Sequence, residues 1–297
     1  MNYESCMLCP RSCGVDRRKT LGFCGQSDKI RIARYQKHMW EEPCISGNGG
    51  SGTVFFSGCT LKCVYCQNYD VSRGMGETIS EKELSDIFLG LQSEGCHNIN
   101  LVTATHFLPG VMRAIDMARP DLALPIVYNC GGYERTETVR ALEGYADVFI
   151  PDFKYKNPVI SQKYSSCSDY YKKSIEAIGE MLMLAPQPEY DKNGMMKKGV
   201  IIRHLVLPGA YKDSLEVLEG IYRSFGNRGF LLSLMSQYTP MPSCCDFPEI
   251  NRPITRLEYR RVSEKALELG FEGYFQDIAS SNKAYIPPFG NTDVKPE

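Results

Sequence analysis

Predicted strands and helices alternate along the chain from residue 51 onward, and this alternation limits the fold more than any other feature. Six almost continuously apolar strands begin near residues 53, 98, 124, 147, 199 and 230, and an amphipathic helix follows each of them. Such strands are typical of a parallel sheet that helices cover on both faces. No G-x-G-x-x-G follows the first strand, which argues against a dinucleotide-binding fold. The sequence therefore predicts an α/β fold, a partial (β/α)6 TIM-like barrel with a cysteine-rich segment before it.

The predicted helices are defined by caps and by apolar periodicity. Ser80 and Glu83 form a capping box, and Leu84 and Phe88 begin the apolar face of the helix that follows. The spacing of apolar residues predicts one long helix over 161–184.

Composition divides the chain into three parts. Residues 1–50 are rich in cysteine and basic residues, and the glycine and serine run at 45–52 predicts a flexible junction. Residues 51–280 form the predicted barrel, in which a last strand is predicted at 272–278. Residues 281–297 form a C-terminal tail.

Bulk composition excludes several classes of protein. Apolar residues make up 43% and charged residues 23% of the 297 residues, as in a globular domain. The net charge of −1 predicts no general affinity for nucleic acid or for anionic membranes. No apolar run approaches the ~18 residues of a membrane span, and the N-terminus lacks the pattern of a secretory signal. We expect a cytoplasmic protein with reduced thiols.

The cysteines are numerous for that compartment and unevenly spread. Of thirteen, eight lie at positions 6, 9, 13, 24, 44, 59, 63 and 66. Clustering in a reducing compartment favours metal ligation over disulfides. The other five, at 96, 130, 167, 244 and 245, are predicted to be small buried apolar residues.

Cys59, Cys63 and Cys66 follow the first predicted strand within "GCTLKCVYCQNYD" (58–70). Three thiolates can hold three corners of a [4Fe–4S] cluster and leave the fourth iron free for a substrate or cofactor. The alternatives are a zinc knuckle, or a disulfide with one spare thiol. A zinc site usually needs a fourth ligand at matching spacing, and the next cysteine is Cys96. In βα barrels, chemistry gathers at this end of the strands.

This Cys-x3-Cys-x2-Cys loop, with Tyr65 just before its third cysteine, resembles that of the radical S-adenosylmethionine (SAM) superfamily. "NCGG" (129–132), "DFK" (152–154) and "RHLVLPG" (203–209) are similar to segments of pyruvate formate-lyase activating enzyme homologues. The resemblance implies an oxidoreductase in which a [4Fe–4S] cluster reductively cleaves SAM. The 5′-deoxyadenosyl radical so formed abstracts a hydrogen atom.

The same resemblance implies cofactor-binding residues. Tyr65 would lie against the adenine of SAM. The other implied residues are Asn129, Asp152 and Lys154, which would contact SAM or organise its site, and Thr105 and His106, which would lie near its methionine end. In "TATHF" (103–107) the family's Gly-Gly-Glu is absent. From the residues alone, Asp152 could instead be a helix N-cap, Lys154 a solvated lysine and His106 a core histidine.

Partners follow from the same resemblance. An electron donor such as flavodoxin or ferredoxin is expected, and the substrate could be a glycyl radical enzyme. The alternatives are radical modification of a small molecule or a peptide, or a non-enzymatic iron–sulfur electron-transfer protein.

A second group of cysteines opens the chain. Cys6, Cys9, Cys13 and Cys24 are spaced C-x2-C-x3-C-x10-C, and four thiolates suit Zn²⁺ or a second Fe–S cluster. A metal would supply folding energy to a segment too short for a core of its own, so a structural site is favoured. Free thiols remain the alternative, and Cys44 could replace any of the four.

Overall fold

A computed structural model describes residues 1–276, and the predicted tail at 281–297 lies outside the described residues. The strands are β1 Arg31–His38, β2 Ser51–Phe56, β3 Glu77–Thr78, β4 Ile99–Val102, β5 Ile126–Cys130, β6 Val148–Pro151, β7 Glu189–Tyr190, β8 Met196–Leu205, β9 Leu231–Met235 and β10 Gly273–Phe275. The helices are α1 Pro43–Ser46, α2 Tyr69–Ser72, α3 Glu81–Ser93, α4 Leu108–Ala118, α5 Thr136–Arg140, α6 Pro158–Ser165, α7 Tyr170–Leu184, α8 Tyr211–Phe225 and α9 Arg256–Glu268.

One sheet joins these strands in the order β10-β9-β8-β6-β5-β4-β2-β1-β3, with β7 beside β8. All pairs from β2 to β10 along this path are parallel. The six predicted strands are β2, β4, β5, β6, β8 and β9, and helices separate them along the chain. The partial barrel is confirmed, and it is open because, within residues 1–276, its first and last strands do not pair.

Successive residues of the central strands pack into different apolar clusters. Phe149 of β6 belongs to the main apolar cluster, which includes residues of the long helices. Its neighbours Val148 and Ile150 belong to a second cluster, with Ile45 of α1. Side chains alternate between the faces of a strand, so both faces of this sheet are covered. The strands are continuously apolar in sequence because the side chains on both faces of the sheet are buried.

The strand β1 was not predicted from the sequence. It pairs antiparallel with β2 from Ile32 opposite Phe56 to His38 opposite Ser51, across the predicted junction at 45–52. Four of its eight residues are charged or histidine, so it lacks the apolar run of a central strand. Most of its side chains are only half-buried.

The helix predicted over 161–184 is wrong, because two helices occupy this range. Ser166 has a left-handed backbone (φ 54°) and ends α6, and α7 begins at Tyr170. The capping box of Ser80 and Glu83 is confirmed, and such a cap stabilises a helix by about 1 kcal/mol.

Four of the five scattered cysteines are buried, as predicted, whereas Cys245 is exposed and that prediction is wrong. Cys44 lies in the apolar cluster around Ile45. None of the helices formed by residues 1–276 has the length and apolarity needed to cross a bilayer.

Candidate functional site

A cavity of about 430 Å³ opens at the carboxyl ends of the parallel strands. Its walls carry residues from the loops after β2, β4, β5 and β6 and from the ends of β8, β9 and β10. The lining residues with polar or sulfur groups include Cys59, Cys63, Cys66, Tyr65, Asn129, Glu134, Asp152, Lys154, Arg203 and Gln237. The end of the barrel predicted to carry chemistry is therefore the end that holds the cavity.

Cys59, Cys63 and Cys66 line this cavity together, on the loop between β2 and α2. The loop is tight: Lys62 adopts a positive φ of 55°, and the amide of Cys66 donates to the carbonyl of Cys63 at 3.2 Å. Burial, and then the neighbouring thiols, raise the pKa of Cys66 to about 12. Metal binding at this loop must therefore displace protons.

Asp152 and Lys154 form an ion pair at the cavity wall. Lys154 Nζ lies 2.5 Å from Asp152 Oδ2, and both side chains are mostly buried. Burial alone would lower the pKa of Lys154, but Asp152 and then Cys63 raise it above its ordinary value. Lys154 is therefore a buried cation beside the thiols rather than a solvated lysine. The N-cap of α6 is Asn157, so Asp152 does not cap that helix.

Tyr65 is buried, and its ring lies edge-on to the rings of Tyr155 and Tyr164. Its hydroxyl is 2.5 Å from the Tyr155 hydroxyl. These two rings and that of Tyr238 fix the ring of Tyr65 at the cavity wall. In the sequence, Tyr65 lies between the second and third cysteines of the loop.

Asn129 lines the cavity, whereas Thr105 and His106 are not among its lining residues. His106 is buried and its Nε2 lies 2.7 Å from the Ser57 carbonyl oxygen. Burial lowers the pKa of His106 to about 3, so the ring is neutral at physiological pH. That Thr105 and His106 lie near SAM stays a prediction, and the buried, neutral ring of His106 fits the core alternative.

Thr105 instead contacts a carboxyl group that the sequence prediction missed. Its Oγ1 donates to Oε1 of Glu134 at 2.9 Å and lies 2.8 Å from the Tyr128 hydroxyl. Glu134 is 2% exposed, and its Oε2 has no hydrogen-bond partner among residues 1–276. Burial raises the pKa of Glu134 to about 8. One sequence signal could have identified Glu134: it lies two residues after a Gly-Gly pair, in the loop that follows β5.

A buried charge cluster lies elsewhere on the cavity wall. Arg203 of β8 donates from Nε to Glu42 Oε1 at 2.8 Å and forms a second ion pair with Glu41. Asn100 of β4 donates to Glu41 at 2.8 Å. Two glutamates from the segment between β1 and α1 thus form ion pairs with one arginine of β8. The sequence spacing of these three residues did not predict the ion pairs.

A buried arginine lies beside Cys6 in the N-terminal segment. Arg17 is fully buried, and it donates to the carbonyl oxygens of Gln26, Ser27 and His106. Its Nη1 lies 3.9 Å from Cys6 Sγ, and within residues 1–276 it forms no ion pair with a carboxylate. Burial raises the pKa of Cys24, and Arg17 opposes that rise.

Across residues 1–276, no three His, Cys, Asp or Glu side chains are arranged so that they could hold a metal ion. The thiols of one [4Fe–4S] cluster bind different irons and need not converge on one point. The loop of Cys59, Cys63 and Cys66 fits such a cluster, because its thiols share one cavity with a buried ammonium group. The zinc alternative gains no support here. A metal at Cys6, Cys9, Cys13 and Cys24 stays a prediction.

Comparison with known proteins gives one curated relative. No protein-family model matches the chain. Uncharacterized protein MJ0674 of Methanocaldococcus jannaschii is 30% identical over 287 residues, which cover 93% of this chain and 77% of that protein.

Two solved structures of low identity are similar to this chain. Native anSMEcpe with bound AdoMet has a TM-score of 0.50 at 13% identity and covers 73% of this chain. Methylornithine synthase (PylB) has a TM-score of 0.48 at 14% identity and covers 78% of this chain. This chain spans 60% and 62% of the length of those two structures.

Proposed function

Because the chain belongs to the family of Uncharacterized protein MJ0674 of Methanocaldococcus jannaschii and has the partial barrel of radical SAM enzymes, we propose that it is a radical SAM enzyme. In this proposal Cys59, Cys63 and Cys66 hold a [4Fe–4S] cluster. The bound cluster would supply the electron that cleaves SAM to a 5′-deoxyadenosyl radical.

One observation carries this proposal: the three thiols line the same cavity as the Asp152–Lys154 pair, Asn129 and Glu134. An electron carrier needs only a protected cluster. Buried polar groups that point into a cavity beside the cluster serve no purpose in simple electron transfer, and burying them without a partner costs about 1 to 3 kcal/mol each. The enzyme is therefore favoured over the electron-transfer protein.

Four residues that line the cavity have roles in the proposal. Lys154 offsets the negative charge of the thiolates, and Asp152 holds its ammonium group in place. Tyr65 offers an aromatic surface to adenine, and Asn129 offers an amide to the polar groups of SAM.

Glu134 supplies a carboxylate that the segment after β4 lacks. The segment 103–107 lacks the Gly-Gly-Glu of the resembled family, yet Thr105 in that segment donates to Glu134. The free Oε2 can accept a hydrogen bond from an ammonium group, and a nearby cation would favour the ionised carboxylate. We assign Glu134 to the amino group of SAM.

The finer proposal is that the hydrogen atom comes from a glycine of a partner protein, with flavodoxin or ferredoxin as electron donor. Its support is the similarity of "DFK" (152–154) and "RHLVLPG" (203–209) to pyruvate formate-lyase activating enzyme homologues. Radical modification of a small molecule or another peptide is the alternative. Electron paramagnetic resonance (EPR) of a mixture with a candidate glycyl radical enzyme would distinguish them, since only the first gives a glycyl radical signal on the partner.

The test of the main proposal is anaerobic reconstitution with iron and sulfide, followed by SAM and a strong reductant. We expect about four irons per chain at the loop and release of 5′-deoxyadenosine. A chain that holds the cluster and releases none, with reductant in excess, would contradict the enzyme proposal.

Three cysteine variants locate the cluster. Cys63→Ala should abolish the cluster and 5′-deoxyadenosine formation. Cys9→Ala, in the N-terminal group, should retain that cluster, and Cys245→Ala, at an exposed thiol, serves as the control. Equal loss in Cys63→Ala and Cys9→Ala would mean that the two groups share one metal centre. Zinc and iron analysis of the same samples would show what, if anything, Cys6, Cys9, Cys13 and Cys24 bind.

A further inference from the structure

A chain of three buried hydroxyl groups ends on the sulfur of Cys63. Ser165 Oγ donates to Cys63 Sγ at 2.9 Å, and it lies 2.7 Å from the Tyr155 hydroxyl. The Tyr155 hydroxyl in turn lies 2.5 Å from that of Tyr65. Ser165 and Tyr155 are fully buried and Tyr65 is nearly so, and no bulk water competes for these contacts.

The direction of the chain follows once Cys63 is a thiolate ligand. A thiolate can only accept, so the one proton of Ser165 points to the sulfur. Ser165 must then accept from Tyr155, and Tyr155 must accept from Tyr65. All three hydroxyl dipoles therefore point towards Cys63, and hydrogen bonds in such a chain strengthen one another.

The backbone around Ser165 is fixed by the N-terminal segment. Arg11 donates to the carbonyl oxygens of Ser165 at 2.9 Å and Thr60 at 2.8 Å, and so joins the end of α6 to the cysteine loop. The amide of Val64 also donates to the carbonyl oxygen of Tyr164 at 2.9 Å. Ser165 is thus held in register with Cys63 from both sides of the contact.

Resting on the cluster assigned above, we propose that Ser165, oriented by Tyr155 and Tyr65, is a positioning residue that sets the reduction potential of that cluster. Hydrogen bonds to cluster sulfurs are one of the factors that fix such potentials. Reduction adds negative charge to the cluster, so a donor to Cys63 stabilises the reduced state more than the oxidised state. The hydrogen bond therefore makes the cluster easier to reduce.

The test is a potentiometric titration of the reconstituted holoenzyme, followed by EPR. Ser165→Ala should make the midpoint potential more negative, with about a tenfold lower ratio of reduced to oxidised cluster at fixed potential, or about 59 mV for one electron. Ser161→Ala is the matched control, because Ser161 is a buried serine of the same helix whose Oγ donates only to the Pro158 carbonyl oxygen. Its midpoint should equal that of the unsubstituted protein.

Tyr155→Phe keeps Ser165 and removes only the group that orients it, so we expect a smaller shift of the same sign. If Ser165→Ala fails to fold, the midpoint potential of Tyr155→Phe tests the inference in its place. Equal midpoints for Ser161→Ala and either other variant, each with a full complement of iron, would overturn the inference. Failure of the unsubstituted protein to load a cluster would instead overturn the proposed function.

Discussion

Thr105 Oγ1 donates a hydrogen bond to Glu134 Oε1 at 2.9 Å, although the two residues follow different strands of the barrel. Thr105 follows β4 and Glu134 follows β5, and these strands are neighbours in the sheet. The segment after β4 has no carboxylate of its own, and the loop after β5 brings one to the same place. This part of the site is therefore built from two loops. The free energy of burying Glu134 there depends on whether its carboxyl group is protonated.

Glu134 should make the metal-free protein less stable as pH rises. Its pKa is about 8 in the folded chain and about 4.5 when exposed, so between these values the unfolded chain releases a proton that the folded chain keeps. The contribution is fully present below pH 4.5 and is lost as pH rises to about 8, at about 1.4 kcal/mol per pKa unit. Glu134→Gln should remove this loss.

Urea denaturation at a series of pH values would measure the effect as the difference between the two proteins. Taking the difference removes the contributions of His106 and His204, which are the same in both proteins. Their pKa values are lowered to about 3 and about 4, so these two residues make the folded chain less stable as pH falls. Parallel curves for Glu134→Gln and the unsubstituted chain would show that Glu134 is ionised in the folded state.

Two glycines with the same backbone angle allow a matched comparison. Gly132 and Gly144 both have φ of 75°, so an alanine carries a similar left-handed strain at either site, about 1 to 2 kcal/mol. A Cβ at Gly132 would lie 1.9 Å from the Asp152 carbonyl oxygen, whereas at Gly144 nothing lies within 4 Å. Gly132→Ala should therefore be less stable than Gly144→Ala by at least about 2 kcal/mol.

Thermal unfolding of both variants would give this difference. Gly132→Ala should also weaken SAM binding, because the backbone of Asp152 must move. Similar melting temperatures for the two variants would mean that the loop relaxes without disturbing β6.

The sequence predicted the elements whose pattern is local. The continuous apolar runs of β2, β4, β5, β6, β8 and β9 identified the parallel sheet, since each run is buried on both faces. The cysteine loop was found because its three cysteines lie within eight residues. Glu134 was missed, because its significance comes from Thr105, which is 29 residues away.

Other features escaped prediction for different physical reasons. The half-buried strand β1 lacks an apolar run, and it is identified only by its pairing with β2. The break between α6 and α7 depends on one left-handed serine, Ser166, in a sequence with continuous helical periodicity. Nothing near Arg17 in the sequence indicates that its side chain is fully buried.

Removing the charge of Arg203 should destabilise the fold, because two glutamates would lose their ion-pair partner. Glu42 is buried and Glu41 is mostly buried beside it, so Arg203→Met leaves two carboxylates without their cation. Breaking a buried pair in this way costs about 3 to 5 kcal/mol. Arg223→Met, which breaks an exposed pair with Glu219 within α8, should cost less than about 1 kcal/mol.

A rescue experiment separates charge from packing. Adding Glu42→Gln to Arg203→Met removes one of the stranded charges and should restore part of the lost free energy of unfolding. If the double variant is no more stable than Arg203→Met, the loss comes from the shape of the arginine rather than from its charge.

Arg17 should be needed for the N-terminal segment to fold against the barrel. Arg17→Met would leave the carbonyl oxygens of Ser27 and His106 without this donor, whereas the Gln26 carbonyl keeps its hydrogen bond from the Gly22 amide. Each unsatisfied group costs about 1 to 3 kcal/mol, so we expect a loss of several kcal/mol. Arg18→Met is the adjacent control, since the exposed Arg18 pairs with Glu4 and Asp16 in solvent and should contribute little. Limited proteolysis should then cut Arg17→Met before residue 31 much faster than Arg18→Met, and equal rates would show that the segment is held by its other contacts.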